Sequence, residues 1–173
     1  MTEEKQALKA RLLLRPASAT DRRILTAVYI ETRRGELAPL GWSDEQLTAF
    51  CRMQFDLQTQ AYKMQFPCSV SSVVELDGEP IGRLLVDRGV REIRLVDIAF
   101  LPQFRNLGAG TILIEDLQRQ AEKSGKTLEL HVLATNRAAI RLYGRLGFVA
   151  VENNQTHLSM SWRAPASEKQ AAK

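Results

Sequence analysis

The amino-acid sequence predicts an α+β fold, in which about four helices flank a mixed but mostly antiparallel sheet of about six to seven strands. Two observations lead to this class. Residues 70–100 read as three strands joined by tight turns, and Asp77-Gly78 is a strong hairpin signal between the first two. A helical pattern over 111–123 separates the last of these strands from an alternating strand at 128–132, so we expect that pair to be parallel.

Upstream of this meander, the sequence predicts one strand and a first helix. Residues 11–15 suit a short strand that Pro16 ends. Thr20 or Asp21 can cap the helix, which is expected to end near Thr32.

A charged loop and a second helix follow. The loop runs from Glu31 to Glu36 and is interrupted by Gly35. Ser43-x-x-Gln46 is a capping box, and it predicts a helix of about twenty residues that ends before Pro67.

Downstream of residue 132, the sequence predicts one more helix and two strands. The helix begins at Asn136 and continues through Leu146. The strands cover residues 148–151 and 157–162 and are joined across Asn153-Asn154.

Length and composition predict a single domain over residues 11–163, between flexible tails at 1–10 and 164–173. The polar N-terminus lacks the apolar core of a signal peptide, and no apolar run reaches the roughly 20 residues of a membrane span. Cys51 and Cys68 lack metal or disulfide spacing, so both are expected to be free, buried thiols. We therefore expect a cytoplasmic protein without membrane partners. The oligomeric state stays open, a homodimer included.

The charge balance bears on the class of ligand. The net charge is +4, but the 24 Lys and Arg residues are scattered among 20 acidic ones, without a basic run of five. A mildly basic enzyme with an anionic cofactor explains this balance as well as nucleic-acid binding does. We prefer the enzyme and expect no nucleic-acid partner.

The stretch Arg105-x-x-Gly108-x-Gly110 lies between an apolar run and the helix at 111–123. Its glycines let the backbone approach a ligand closely. The first N–H groups of a helix have no intrahelical partner, and the helix dipole adds partial positive charge there. A diphosphate would accept hydrogen bonds from those groups, and Arg105 would add a bidentate cation. The loop therefore predicts a phosphorylated cofactor.

Two nucleotide-binding motifs fit this loop less well. A dinucleotide fingerprint has an acidic residue about twenty positions on, where Glu129 stands, but it needs a third glycine at position 113, which is Leu. It also needs a βαβ start rather than a meander. A nucleotide P-loop needs a lysine after the second glycine, and none is present. From the loop alone, a tight turn without a ligand remains the alternative.

A second segment favours a bound cofactor over a turn without a ligand. Asn136-x-x-Ala139-x-x-x-Tyr143-x-x-x-Gly147-Phe148 reads as a helix and the strand after it. Together with Asp97–Pro102 and Arg105–Thr111, it resembles the GNAT superfamily of acyl-CoA-dependent N-acetyltransferases. The order of elements over about residues 11–162 is also similar to that family. The resemblance implies a GNAT-like sheet whose central parallel strands splay apart.

The resemblance implies acetyl-CoA as the cofactor and an amine as the acceptor. It implies, first, that a loop and the start of a helix wrap the diphosphate. Second, the end of a strand pairs with the pantetheine arm and presents one N–H group to the thioester oxygen. Third, a following helix contacts the arm near the sulfur. The matching residues are, in that order, Arg105, Asn106, Leu107, Gly108, Ala109, Gly110 and Thr111; Ile98, Ala99 and Phe100; and Asn136, Ala139 and Tyr143.

The resemblance also implies two catalytic side chains. Tyr143 is expected to be the general acid that protonates the departing thiolate, and the alternative is packing beside Phe148. Asp97 is a candidate general base, and the alternative is a strand-end carboxylate that pairs with an arginine.

The acceptor side is less well defined. In this family the loop between the first two helices borders the acceptor, so Glu31, Arg33 and Glu36 are candidate contacts. The alternative is a solvated loop in which these charges pair with one another. Gln58 and Tyr62 share a polar stripe of the second helix with Gln54, and this stripe either holds a polar substrate or faces solvent. His131 and His157 are isolated, so no metal site is predicted.

The resulting hypothesis is transfer of the acetyl group from acetyl-CoA to a primary amine of a small molecule or peptide, by direct attack in a ternary complex. A protein N-terminal or lysine acetyltransferase and a non-catalytic acyl-CoA-binding sensor remain alternatives. The sequence does not name the acceptor.

Overall fold

Local signals in the sequence place most of the helices and strands. The computed structural model describes residues 3–165 and has, in that range, five α-helices and seven strands. The helices are α1 (Glu3–Arg11), α2 (Arg22–Leu37), α3 (Asp44–Gln65), α4 (Ala109–Lys123) and α5 (Arg137–Arg145). The strands are β1 (Leu12–Pro16), β2 (Val70–Leu76), β3 (Glu79–Arg88), β4 (Glu92–Phe100), β5 (Thr127–Leu133), β6 (Val149–Asn153) and β7 (His157–Trp162).

The strands form one sheet in the order β1-β2-β3-β4-β5-β7-β6. The pairs β1–β2, β2–β3, β5–β7 and β6–β7 are antiparallel. β4 and β5 are parallel, as the intervening helix predicts. The predicted α+β class with a mixed sheet is therefore confirmed.

The chain divides into two compact units. The first comprises the described residues within Met1–Arg88 and Leu95–Ile112, and the second those within Gly89–Arg94 and Leu113–Lys173. Two boundaries fall inside continuous elements, because β4 begins in the second unit and α4 begins in the first. The single domain over residues 11–163 stays a prediction.

The first unit contains the antiparallel meander and helices α2 and α3. The two helices share a small core of Tyr29, Leu47, Cys51 and Phe55, in which the rings of Tyr29 and Phe55 lie 5.7 Å apart. α3 begins as predicted, because Ser43 Oγ accepts from Gln46 N at 3.2 Å and Gln46 Oε1 accepts from Ser43 N at 3.0 Å.

Arg15 joins β1 to the start of α2. Its guanidinium donates to both carboxylate oxygens of Asp21, at 2.7 and 2.8 Å, and to Glu75 Oε1 at 2.6 Å. Hydrogen bonds from Arg15 and then from the backbone and hydroxyl of Ser18 hold the pKa of Asp21 below its ordinary value. Asp21 precedes α2 but makes no capping bond with its side chain, which turns back toward Ser18 and Arg15 instead.

Two helices depart from the sequence analysis. Residues 3–11 form α1 inside the segment expected to be a flexible tail, and none of its side chains is buried. It escapes detection because a helix without a buried face has no apolar periodicity, although acidic residues in its first turn and basic ones in its last suit the helix dipole.

The second departure corrects the loop expected over Glu31–Glu36, because α2 continues through Gly35 to Leu37. A single glycine costs a helix only about 1 kcal/mol. Ion pairs one turn apart, Arg34 with Glu31 and Arg33 with Glu36, lie along this last part of the helix.

The second unit contains β5, β7, β6 and helix α5. The inward side chains of β5 are buried, as their alternation predicts; they are Leu128, Leu130 and Val132.

Residues 166–173 of the predicted C-terminal tail lie outside the described residues. None of the helices within residues 3–165 has the length and apolar character that crossing a membrane requires. Cys51 is a free, buried thiol as expected, whereas Cys68 is free but exposed, beside Pro67 in the connection between α3 and β2.

Candidate active site

The loop before α4 has the backbone conformation of a ligand-binding turn. After β4, a 3-10 turn covers Pro102–Phe104, and then Asn106 and Gly108 take positive φ angles of 63° and 93°. These angles turn the chain so that α4 begins at Ala109, and the N–H of Ile112 makes an early helical bond, to Gly108 O at 3.1 Å. The N–H groups of the preceding helical residues therefore have no intrahelical carbonyl to bind. This geometry suits an anion.

The side chain of Arg105 contacts two backbone carbonyl groups. Its Nε donates to Phe100 O at 2.9 Å and its Nη2 donates to Glu31 O at 3.2 Å. The guanidinium therefore ties the end of β4 and helix α2 to the loop. A bidentate bond to a diphosphate would have to replace these two contacts, so the backbone N–H groups are the stronger candidate donors.

The end of β4 is unusually close to β3. Gly82 is buried, and a Cβ atom there would collide with the carbonyl oxygen of Ala99 and lie 2.7 Å from the ring of Phe100. Leu101 N donates to Ile81 O at 2.9 Å just beyond this point. A glycine is required here because a side chain would push away the residues expected to pair with pantetheine, Ile98, Ala99 and Phe100.

A cavity of about 140 Å³ lies in the first unit, beside β4. Its polar lining comes mainly from α3 and from the strands; it includes Thr59, Tyr62, Lys63, Ser71, Arg83 and Asp97. A larger hollow of about 560 Å³ runs along α2 and is lined by Arg22, Arg23 and Arg52 among others. That hollow has no carboxylate and no residue of β4 in its lining, so the smaller cavity is the better candidate for the acceptor.

Arg83 is the central charge of this cavity. Its side chain is 12% exposed and forms an ion pair with Asp97. Its Nη2 also donates to Gln58 Oε1 at 3.0 Å. The guanidinium lies over the rings of Tyr29 and Phe55, 5.7 and 5.5 Å from their centroids. Four neighbours therefore fix its position.

Two of the predicted acceptor residues lie near Arg83. Gln58 bonds to it directly, and Tyr62 lines the same cavity, so the polar stripe of α3 does not simply face solvent. Burial raises the pKa of Tyr62, and the negative charge of Asp97 raises it further. The Tyr62 hydroxyl consequently keeps its proton near neutral pH and can donate a hydrogen bond.

The other predicted acceptor residues lie on α2 and are paired. Arg33 donates to Glu36 Oε2 at 2.7 Å and packs over the ring of Tyr29, 5.4 Å from the centroid. Glu31 accepts from Arg34 at 3.2 Å. The alternative of mutual pairing thus describes the side chains of Glu31 and Glu36, although on a helix rather than in a loop.

The remaining predicted residues belong to the second unit. Asn136 Oδ1 accepts from Ala139 N at 3.1 Å, so the asparagine caps α5 as its position predicts. Tyr143 is buried at 7% exposure, and its ring lies 5.7 Å from that of Phe148. Packing and a catalytic role are compatible for this tyrosine, and its role as an acid stays a prediction.

Comparison with known proteins decides the family. The model of the acetyltransferase (GNAT) family matches residues 29–148, which is more than half of the chain. The chain belongs to the GNAT family. Over 119 residues it is 29% identical to the thialysine N-epsilon-acetyltransferase of Mus musculus, covering 62% of this chain and 70% of that protein.

Other GNAT proteins are similar over shorter segments or in fold alone. A ribosomal protein bS18-alanine N-acetyltransferase of Escherichia coli is 47% identical over 58 residues, and this chain spans only 39% of its length. The PaiA N-acetyltransferase of Thermoplasma acidophilum, solved with coenzyme A, superposes with a TM-score of 0.68 over 88% of this chain and 98% of its own, at 16% identity. This last likeness establishes the fold.

GNAT acetyltransferases use acetyl-CoA, so the predicted cofactor is confirmed at the level of the family. One feature of the structure fits this cofactor: Asn106 and Gly108 turn the chain so that the first N–H groups of α4 are free.

Within residues 3–165, no three His, Cys, Asp or Glu side chains cluster as metal ligands do. His131 and His157 are both exposed.

Sequence reasoning missed Arg83 and Tyr29. A signal for Arg83 was present, because an arginine at the centre of the apolar strand Ile81–Val86 needs a partner when it is buried. The partner, Asp97, is fourteen residues away on the next strand, and nothing in the local pattern connects the two.

Proposed function

We propose that this protein acetylates a primary amine with acetyl-CoA by direct attack in a ternary complex. The proposal is supported by an arrangement in the first unit: a polar cavity lies beside β4, and the loop after β4 turns into a helix start with free N–H groups. Membership of the GNAT family supports the reaction class.

The cofactor supplies an acetyl thioester, and the chain supplies its binding site. The backbone N–H groups from Gly108 to Thr111 would hold the diphosphate. The backbone of Ile98, Ala99 and Phe100 would bind the pantetheine arm and donate to the thioester oxygen, where negative charge develops. Asn106 would keep the left-handed turn. Asn136 and Ala139 are also proposed to contact the cofactor.

Two side chains are proposed to handle protons. Asp97 lies in the acceptor cavity and would accept a hydrogen bond from the attacking amine, directly or through a water. Its carboxylate is already paired with Arg83, so its main contribution would be to hold and orient the amine. Tyr143 would donate a proton to the thiolate.

Two measurements on the purified protein test the proposal. Calorimetric titration with acetyl-CoA is expected to show a single site, and CoA release is expected with at least one member of a panel of amino acids, polyamines, aminoglycosides and peptides. Binding without CoA release for any amine would favour an acyl-CoA sensor. Failure to bind acetyl-CoA would overturn the proposal.

The names of the relatives point to different acceptors. One is named for thialysine, a small molecule, and another for the alanine of a ribosomal protein. For this chain we propose a small-molecule acceptor, because the cavity is small and bounded by fixed charges. We also propose action in the cytoplasm, which cell fractionation would test.

A further inference from the structure

We infer that the acceptor is a small aminocarboxylate, a molecule that carries a carboxylate as well as the reacting amine, and that Arg83 and Lys63 select it. The inference rests on the proposed function and specifies the substrate class of the same site. It follows from the size of the acceptor cavity, its net charge and the donors that its lining leaves available.

The size of the cavity limits the acceptor. Its volume is about 140 Å³. Cavities that enclose drug-sized ligands are usually about 300–1,000 Å³. The cavity therefore admits a few non-hydrogen atoms, which suits a short aminocarboxylate better than an aminoglycoside.

The charge of the lining argues against a purely cationic acceptor. Among the described residues that line the cavity, Asp97 is the only carboxylate, and it is already paired with Arg83. Lys63 adds a second positive charge and is exposed. The lining is therefore net positive, and a second positive charge on the acceptor would be repelled.

The carboxylates on the last part of α2 do not change this balance. Glu31 is paired with Arg34, and Glu36 is paired with Arg33. Each acidic side chain that the sequence analysis offered as a contact of the acceptor is thus held by an arginine. A carboxylate on the acceptor would supply the negative charge that the cavity lacks.

The lining also leaves hydrogen-bond donors available. The Nε atom of Arg83 is buried and has no hydrogen-bond partner among the described residues. A buried donor of this kind is costly unless a ligand satisfies it. Lys63 and the protonated Tyr62 hydroxyl provide further donors around the same space. Carboxylate oxygens are acceptors only, so they match this set.

Arg83 is held in place before the acceptor arrives. Gln58 accepts from its Nη2 at 3.0 Å, and the rings of Tyr29 and Phe55 lie on its guanidinium. A fixed donor loses little conformational entropy when it binds a carboxylate. Asp97, next to it, remains the group that faces the amine, so the pair can receive both ends of a zwitterion.

The test compares each acceptor with its own amide. Glycine, β-alanine and 4-aminobutyrate place the carboxylate at increasing distances from the amine, and their amides keep the amine but lose the negative charge. The amine of an amide loses its proton more readily, which works against the expected preference. Spermidine serves as the polycationic acceptor. The readout is kcat/KM from CoA release.

We expect the best acid to exceed its amide by about tenfold or more in kcat/KM, because a hydrogen-bonded charge is lost in the amide. Arg83→Gln is expected to bring this ratio close to one. Lys63→Gln changes an exposed residue and is expected to lower the ratio a few-fold while the protein stays folded. Arg23→Gln changes an exposed residue of α2 outside the lining of this cavity; it is the matched control and is expected to leave the ratio unchanged.

Several outcomes separate this inference from the proposed function. Release of CoA with spermidine or with the amides at an equal or higher kcat/KM would overturn the inference and leave the acetyltransferase function standing. A ratio that Lys63→Gln and Arg83→Gln both leave unchanged would also overturn it. Absence of CoA release with every amine would overturn the proposed function and this inference with it. If Arg83→Gln does not fold, the acid–amide ratio and Lys63→Gln decide the question.

Discussion

Replacing Gly82 with alanine places a methyl group against the strand that is expected to bind the cofactor. The new Cβ would collide with the carbonyl oxygen of Ala99 and lie 2.7 Å from the ring of Phe100. The oxygen belongs to the backbone of β4, so it cannot move without displacing the strand. We therefore expect this single methyl group to affect both stability and acetyl-CoA binding.

The expected change in the free energy of unfolding follows from two opposing effects. Forcing an extra methyl group into a packed site typically costs about 1–3 kcal/mol, occasionally more. Alanine in a strand regains roughly 0.5–1 kcal/mol relative to glycine, because the unfolded chain loses less entropy on folding. Because the collision is with backbone, we place the cost at the upper end of its range and expect a net loss of about 2 kcal/mol in the free energy of unfolding.

Gly35 provides the matched control for this change. It lies in α2, and a Cβ there would meet no atom within 4 Å. Gly35→Ala is therefore expected to raise the free energy of unfolding by up to about 1 kcal/mol. Urea denaturation measures both variants, and calorimetry measures their acetyl-CoA affinity. The reasoning would be refuted if Gly82→Ala matched the wild type in both measurements.

Three further changes test other parts of the structure. Tyr143→Phe is expected to lower kcat by roughly 10²-fold or more if the hydroxyl is the general acid, and a change within about twofold in steady-state assays would exclude that role. The folded pKa of Asp21 lies below its ordinary value of 3.8, so its stabilising contribution is complete above that value and is lost as the pH falls below it. Urea midpoints measured from pH 7 to pH 3 should therefore fall more steeply for the wild type than for Asp21→Asn, and parallel curves would contradict this. Ser43→Ala should cost about 1 kcal/mol in urea denaturation through loss of the capping box, whereas an unchanged midpoint would mean that water replaces it.

Short-range signals explain what the sequence predicted well. The hairpin at Asp77-Gly78, the capping box at Ser43 and the turn at Gly108 each depend on residues that are neighbours in the chain. Conformational preferences act over a few residues, so such features can be read without knowing the fold. The boundaries of the strands and of α4 were accordingly predicted within a few residues.

The features that were missed have no clear signal in the local sequence. α1 has no buried face, so periodicity could not reveal it. The extension of α2 through Gly35 went against a local stop signal. Arg83 meets Asp97 and Gln58 only because β3, β4 and α3 come together in the fold. The conformation of the loop before α4, which is local, was therefore easier to predict than the surroundings of Arg83.

β6 lies at the end of the sheet order, and its exposed valines create a risk of unwanted strand addition. Val149 and Val151 are 64% and 67% exposed, and such an apolar edge can template pairing with another chain. The register with β7 shifts between Ala150 and Glu152, so Val151 is bulged out of the ladder. The bulge divides the edge into two short stretches that could pair with an incoming strand, whereas self-assembling segments need roughly six continuous residues. Removing Val151 would straighten this edge and is the single-residue deletion that we expect to promote aggregation.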